Sequence, residues 1–174
     1  TSKYRIQEVN NGLKNVTYDT KVVEATVEVV DKQAQLTPSV TYTNDATFTN
    51  TYKAVDPGQP SFSVDAMKEL EGREMKADEF QFNLLDSNGN LVATAKNDAS
   101  GKIRLEHTIT NPSEGTFTYK VVEKDLGDKE ITYDKTVHEV SVTVSKDSEG
   151  KFQAKVDSAK SIVFKNTYKP VKEE

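Results

Sequence analysis

The chain has no cysteine. In a cytosolic protein that absence means little; in a secreted one it requires that stability come from a source other than disulfides. Histidine is also scarce: His107 and His138 are the only two, and with no cysteine near them no metal site is expected. Positive charge is short, with 23 Lys and Arg against 28 Asp and Glu, a formal net charge of −5. A nucleic-acid binder needs a basic face, so that partner class is not expected. No stretch approaches the roughly 20 apolar residues of a membrane span, so no membrane insertion is expected. No leader peptide or sorting signal is visible, as a piece trimmed at both ends would read. Nothing resembles a phosphate loop or a hydrolase triad. The run Asp86-Ser87-Asn88-Gly89-Asn90 looks superficially like a calcium loop, but its glycine is at the fourth position rather than the sixth and Asn97 stands at the twelfth. It reads as a turn. No cofactor and no metal are expected.

What the chain does have is a sentence spelled twice. Tyr4 and Glu8, then Thr17-Tyr18-Asp19, then Phe48, Asn50, Thr51 and Tyr52 recur as Tyr119 and Glu123, Thr132-Tyr133-Asp134, and Phe164, Asn166, Thr167 and Tyr168. The first two landmarks shift by 115 positions and the last by 116. A period of that size is one ordinary domain. The expected organisation is therefore residues 1–54 as the C-terminal half of an incomplete repeat, 55–170 as a complete repeat, and 171–174 as a tail. The complete unit is long enough to bury a core of its own. The half unit is not, and is expected to need a front half from preceding sequence or from another chain.

The local pattern is strand after strand. Phe62, Val64, Ala66 and Leu70 alternate with polar residues. So do Phe80, Phe82 and Leu84; Ile103 and Leu105; Phe117, Tyr119 and Val121; Val140, Val142 and Val144; Phe152, Ala154 and Val156; and Ile162 and Phe164. Alternation over short runs rich in Val, Ile, Thr, Tyr and Phe signals half-buried antiparallel strands. Turn residues at 86–90, 97–101, 111–115 and 148–150 read as hairpin turns between them. Strands every ~8–12 residues point to an all-β sandwich or barrel. One helical turn is expected around 76–79. In the half unit, Ala25, Val27 and Val29 occupy the positions of Val140, Val142 and Val144. Between the units, Pro57 and Pro60 stiffen a short linker.

Side-chain parity singles out three residues. Alternate residues of a strand share a face. Lys68 falls in register with Phe62, Val64, Ala66 and Leu70; Glu123 continues Phe117, Tyr119 and Val121; Asn166 falls between Phe164 and Tyr168. A lysine, a carboxylate and a carboxamide on three strands all point toward the core. Each has a plainer reading, as a misjudged register, a solvated strand end or a turn cap. Together they are complementary. Burial disfavours charge, lowering a lysine pKa and raising that of a glutamate. A neutral amine is a nucleophile. A protonated carboxyl can donate to the asparagine carbonyl, stabilise the oxyanion that forms on attack, and shuttle the proton. The expected product is an amide between the side chains of Lys68 and Asn166, with loss of ammonia and Glu123 as the promoting acid.

The run from Lys68 through Leu70, Gly72, Arg73, Phe80 and Phe82 to Leu84 resembles the opening of the streptococcal pilin isopeptide-linkage domain. The turn from Asn97 to Gly101, the run from Gly115 to Glu123, the segment Ile131-Thr132-Tyr133-Asp134 and the segment Phe164-Lys165-Asn166-Thr167-Tyr168 are similar to it in the same order. The resemblance covers nearly all of residues 61–169. It implies immunoglobulin-like antiparallel β-sandwich domains in tandem, with a spontaneous Lys–Asn bond promoted by a Glu, in sortase-assembled pili and wall-anchored adhesins of Gram-positive bacteria. The half unit keeps Glu8 and Asn50 by the same matching, but no lysine of this chain matches the third position. On this resemblance the chain is expected to be a non-enzymatic stalk module of an extracellular, wall-anchored surface fibre or adhesin. Its partners would be neighbouring repeats or pilin subunits, with any host ligand bound through other domains. A host-ligand-binding adhesin domain and a spacer of an extracellular enzyme are the alternatives; the short turns favour the stalk.

Overall fold

The computed structural model describes residues 1–157 and 160–173. The chain divides into two compact units, Thr1–Val55 and Asp56–Glu174. Glu174, the last residue of the expected tail, lies outside the described residues. Every regular element among the described residues is a β-strand.

In the first unit the strands are β1 (Ser2–Gln7), β2 (Val16–Thr17), β3 (Val22–Lys32), β4 (Gln35–Tyr42) and β5 (Thr51–Tyr52). β1, β3 and β4 form one antiparallel sheet, and β2 pairs antiparallel with β5. The β3–β4 hairpin turns through Gln33 and Ala34, both at positive φ, with no glycine or asparagine to announce it. Ala25 is buried, but Val27 is only half-buried and Val29 is 56% exposed. Their counterparts Val140, Val142 and Val144 are all buried. The positional equivalence holds in the register, with Tyr4 opposite Ala25 as Tyr119 is opposite Val140, and only the burial differs.

In the second unit the strands are β6 (Ser61–Glu71), β7 (Gln81–Leu85), β8 (Leu91–Lys96), β9 (Lys102–Thr108), β10 (Gly115–Glu123), β11 (Ile131–Thr132), β12 (His138–Lys146), β13 (Phe152–Val156) and β14 (Val163–Tyr168). They form a five-stranded sheet in the order β13-β12-β10-β7-β8 and a four-stranded sheet in the order β11-β14-β6-β9. The two sheets enclose one core, bridged by ring contacts such as Phe82 with Phe164 at 5.1 Å and Phe62 with Tyr119 at 4.9 Å. This is the expected all-β sandwich. β6 alternates as the parity argument requires, with Phe62, Val64, Ala66 and Lys68 buried.

Three expectations need correction. The turns at 86–90 and 148–150 do close hairpins, β7–β8 and β12–β13. Those at 97–101 and 111–115 instead carry the chain from one sheet to the other, because β9 pairs with β6 and β10 with β7 and β12. Turn chemistry announces a reversal and not the partner of the strand that follows. Second, the fold is not wholly antiparallel: β14 lies parallel to β6, with Phe164 opposite Lys68 and Asn166 opposite Leu70. Third, residues 76–79 form a tight turn rather than a turn of helix, with Asp78 at φ 63°. Buried Asn97 overrides the local propensity. It accepts the Phe80 amide at 2.9 Å and donates to the Lys76 and Asp98 carbonyls at 2.9 Å, while its own carbonyl accepts the Asp78 amide.

Candidate functional site

Lys68 sits on the inner face of β6 with 1% of its surface exposed. Its backbone is held from both neighbouring strands. The Lys68 amide donates to the Gly101 carbonyl at 2.7 Å, and the preceding Met67 amide to that of Ile162. Gly101 has φ +94°, and a Cβ there would lie 2.2 Å from the Lys68 carbonyl oxygen, so this close approach admits only glycine. The side chain runs into the core between aromatic rings, with Nζ 4.7 Å from the centroid of Phe80 and 5.8 Å from that of Phe82. Nζ ends on Glu123 Oε2 at 2.5 Å, and both side chains are fully removed from solvent.

Glu123 reaches this point from the last residue of β10, opposite Phe82 of β7. Burial pulls the Lys68 ammonium below the usual lysine range; the hydrogen bond and charge of Glu123 and the charge of Asp134 oppose the shift without cancelling it. Proton transfer between the two groups would leave a neutral amine beside a neutral acid.

Asn166 lies on β14, the strand beside Lys68, and is 2% exposed. Its Oδ1 accepts the Asp134 backbone N–H at 2.9 Å. Its Nδ2 is buried and has no hydrogen-bond partner. The contrast with Asn97 is informative. Both asparagines are buried, yet Asn97 satisfies its carbonyl and both amide hydrogens, whereas Asn166 leaves its amide nitrogen bare. A bare buried donor is costly and rare.

The hydrogen bond expected from Glu123 to the Asn166 carbonyl is replaced by one from the Asp134 amide, which also lies 3.4 Å from Glu123 Oε1. A fixed backbone N–H aimed at the carbonyl oxygen is the geometry that stabilises an oxyanion. Asp134 is itself clamped: its carboxylate accepts the Thr136 amide at 2.8 Å and the Lys165 amide at 2.8 Å. Burial works against the charged form of Asp134. The hydrogen bonds of Thr136 and Lys165 and the nearby Lys68 outweigh it and hold this carboxyl below the usual range. Side-chain parity does not mark Asp134, whose contribution is a backbone amide. Its signal was present in the doubled Thr-Tyr-Asp triplet at 17–19 and 132–134. Phe80, Phe82 and Asn97, which shape the lysine's surroundings, carry no signal beyond ordinary strand and turn patterns.

In the first unit Glu8 and Asn50 also meet. Asn50 Nδ2 donates to Glu8 Oε1 at 2.5 Å, and the Asp19 amide donates to Asn50 Oδ1 at 2.9 Å. Asp19 accepts the Thr49 and Lys21 amides, as Asp134 accepts those of Lys165 and Thr136, and the Thr49 and Lys21 bonds hold its carboxyl below the usual range. The difference is at Glu8 Oε2, which is buried without a partner where Glu123 Oε2 receives Lys68.

The second unit is thus an all-β sandwich in which a buried amine and carboxyl pair and a buried carboxamide are carried by three strands. Residues 1–53 and 64–169 match the model of the FctA family, described as the Spy0128-like isopeptide containing domain, and the chain belongs to that family. No curated protein matches the chain. The family is one of pilin-like structural domains, which places the chain outside the cell.

Proposed function

We propose that this chain is a stalk module of a Gram-positive surface fibre or wall-anchored adhesin, tied by an amide between Lys68 and Asn166. The observation that carries the reading is the buried Lys68 Nζ on Glu123, beside an Asn166 whose Nδ2 has no partner. Proton transfer from Nζ to Glu123 frees the amine, which attacks Asn166 Cγ. The Asp134 amide stabilises the oxygen as it gains charge. Glu123 passes the proton on to Nδ2, the C–N bond breaks and ammonia leaves, and the carboxylate so regenerated takes the second proton from the attacking nitrogen, leaving a neutral amide. The event happens once per chain, without turnover and without a cofactor.

The parallel pairing of β6 and β14 supplies the mechanical rationale. Tension entering at the start of β6 and leaving at the end of β14 would shear these two neighbours along their length. An amide between them passes the load from first strand to last, so the remaining strands need not bear it. The bond closes a loop of about 100 residues, which by analogy with disulfides contributes roughly 4–5 kcal/mol. An amide also resists reduction, which suits a cysteine-free extracellular chain. Neighbouring repeats or subunits of the same fibre are the partners this role requires. Intact-mass measurement tests the reading: the expected mass is that of the sequence less one ammonia, and the full unmodified mass would end it.

A further inference from the structure

Asn97 follows the last residue of β8 and is completely buried. The β7–β8 ladder ends at the pair Gln81–Lys96, so strand pairing does not hold Phe80. The Asn97 side chain does: its Oδ1 accepts the Phe80 amide at 2.9 Å, one position beyond the ladder. We infer that Asn97 is a positioning residue for the Lys68–Asn166 reaction, acting through Phe80, whose ring it holds over Lys68 Nζ so that water is kept from the amine. This rests on the reading of the Lys68–Asn166 site above and adds to it a residue whose hydrogen bonds go to none of the three reacting side chains.

Three observations carry it. First, Phe80 is the nearer of the two rings over the amine: it is buried, and its centroid lies 4.7 Å from Nζ against 5.8 Å for Phe82. Second, Asn97 fixes the whole approach to Phe80. Its Nδ2 donates to the Lys76 carbonyl at 2.9 Å, and its backbone carbonyl accepts the Asp78 amide at 2.8 Å. Residues 76–80 lie outside every strand and pass through Asp78 at φ 63°, a conformation that persists only where its surroundings impose it. Third, the same side chain is tied to the lysine's backbone. The Asp98 carbonyl that takes Asn97 Nδ2 also accepts the Gly101 amide at 3.1 Å, and the Gly101 carbonyl accepts the Lys68 amide at 2.7 Å. The ring and the lysine it covers are thus both anchored to one buried carboxamide.

The Phe80 ring has two opposed influences on the amine. Its face attracts an ammonium, and its bulk excludes the water that would solvate one. Desolvation is the largest influence on Lys68, ahead of the hydrogen bond and charge of Glu123 from β10 and the charge of Asp134 from the segment before β12. The net direction is toward the neutral amine. The other titratable groups of this core pack on rings: His107 and Tyr119 on Phe62, Tyr133 on Phe80 and His138 on Phe164. Loosening the ring therefore returns Lys68 toward the ordinary lysine range. The neutral amine is then reached only at higher pH, and linking slows at any pH below that. A turn held for stability alone has no such consequence for the pH at which the amine reacts.

The test follows ammonia loss by intact mass as full chains, kept unlinked in denaturant from synthesis onward, are diluted into buffers over a series of pH values. Asn97→Ala should move the curve of linking rate against pH to higher pH, with the rate below it falling about 10-fold for each unit moved. Phe80→Leu, with Asn97 in place, should move it the same way. The double variant should move it no further than the larger single change, since both act through one ring. Asn97→Ser, a smaller change, should shift the curve in the same direction, which keeps the test decisive where the alanine variant fails to fold. Val144→Ala, a truncation of a buried residue on β12, should lower stability and leave the curve in place. An unmoved curve in a folded Asn97 variant, additive shifts in the double variant, or an equal shift with Val144→Ala overturns the inference. Wild-type chains that lose no ammonia at any pH overturn the Lys68–Asn166 reading and this one with it; wild-type loss with an unmoved Asn97 curve overturns this one alone.

Discussion

Glu8–Asn50 and Glu123–Asn166 are nearly the same site with and without a lysine. In both, an aspartate amide holds the carboxamide oxygen at 2.9 Å. Where no lysine is present, the glutamate turns to the asparagine and takes its Nδ2–H at 2.5 Å. Where Lys68 is present, the glutamate is drawn to Nζ and the asparagine nitrogen is left bare. In the second unit the glutamate is thus engaged by the lysine, and the asparagine nitrogen lacks the bond its first-unit counterpart makes. Burial differs in step. Asn50 is exposed, while Asn166 is sealed in a completed core. The aspartate and glutamate geometry is common to both units, while a buried amine is seen only in the second among the described residues.

The largest effect that would break this comparison is expected from Lys68→Ala. It abolishes the ammonia loss and strands the buried Glu123 carboxylate, at a cost of about 3–5 kcal/mol on top of the lost loop closure. Denaturant unfolding with intact mass measures both, and pairing the change with Glu123→Ala should recover part of the loss. Next comes Asn166→Ala, which removes the bond but leaves the Lys68–Glu123 pair, and should cost close to the roughly 4–5 kcal/mol of loop closure alone. Asp134→Ala should slow cross-linking on the order of 10²-fold by letting the oxyanion donor drift, with little change in the stability of chains already linked. Time-resolved mass measurement during refolding separates the two; an unchanged rate would remove Asp134 from the mechanism.

The pH dependence follows from the lowered Lys68 value. The folded, unlinked chain binds fewer protons at Lys68 than the unfolded chain wherever the pH lies between the lowered native value and the ordinary ~10.4. Stability of Asn166→Ala should therefore rise with pH through that window and be lowest below it, where the buried ammonium is fully charged. The wild-type linking rate should rise with pH over the same range, since the neutral amine is the nucleophile. A flat profile would argue against burial as the source of reactivity. The smallest effect sharpens the comparison of the two units: Val144→Ala should cost about 1–3 kcal/mol, but Val29→Ala, exposed in the first unit, should stay within about 0.5 kcal/mol.

Much of this architecture was legible because period-2 alternation reports which face of a strand is dry. Lys68, Glu123 and Asn166 were found that way, each as a polar residue in an apolar register, and the structure buries all three side chains. The sheet to which each strand belongs was not legible. The turns at 97–101 and 111–115 have the same residue types as true hairpins but cross between sheets. Asp134 escaped because its contribution is a backbone amide, and a sequence does not show where an amide points. Asn97 escaped because turn asparagines are common, and only its three buried hydrogen bonds distinguish it.

By itself the sequence determined the all-β class, the doubled motif and the inward register of Lys68, Glu123 and Asn166. These depend on local periodicity and residue chemistry. Only the tertiary structure decided that β6 and β14 run parallel as neighbours, that Glu123 spends its hydrogen bond on Lys68, and that the Asp134 amide rather than the glutamate holds the Asn166 oxygen. Those outcomes depend on distances between residues far apart in the chain, set by which strands pair and by the burial of Lys68, Glu123 and Asn166 in one core.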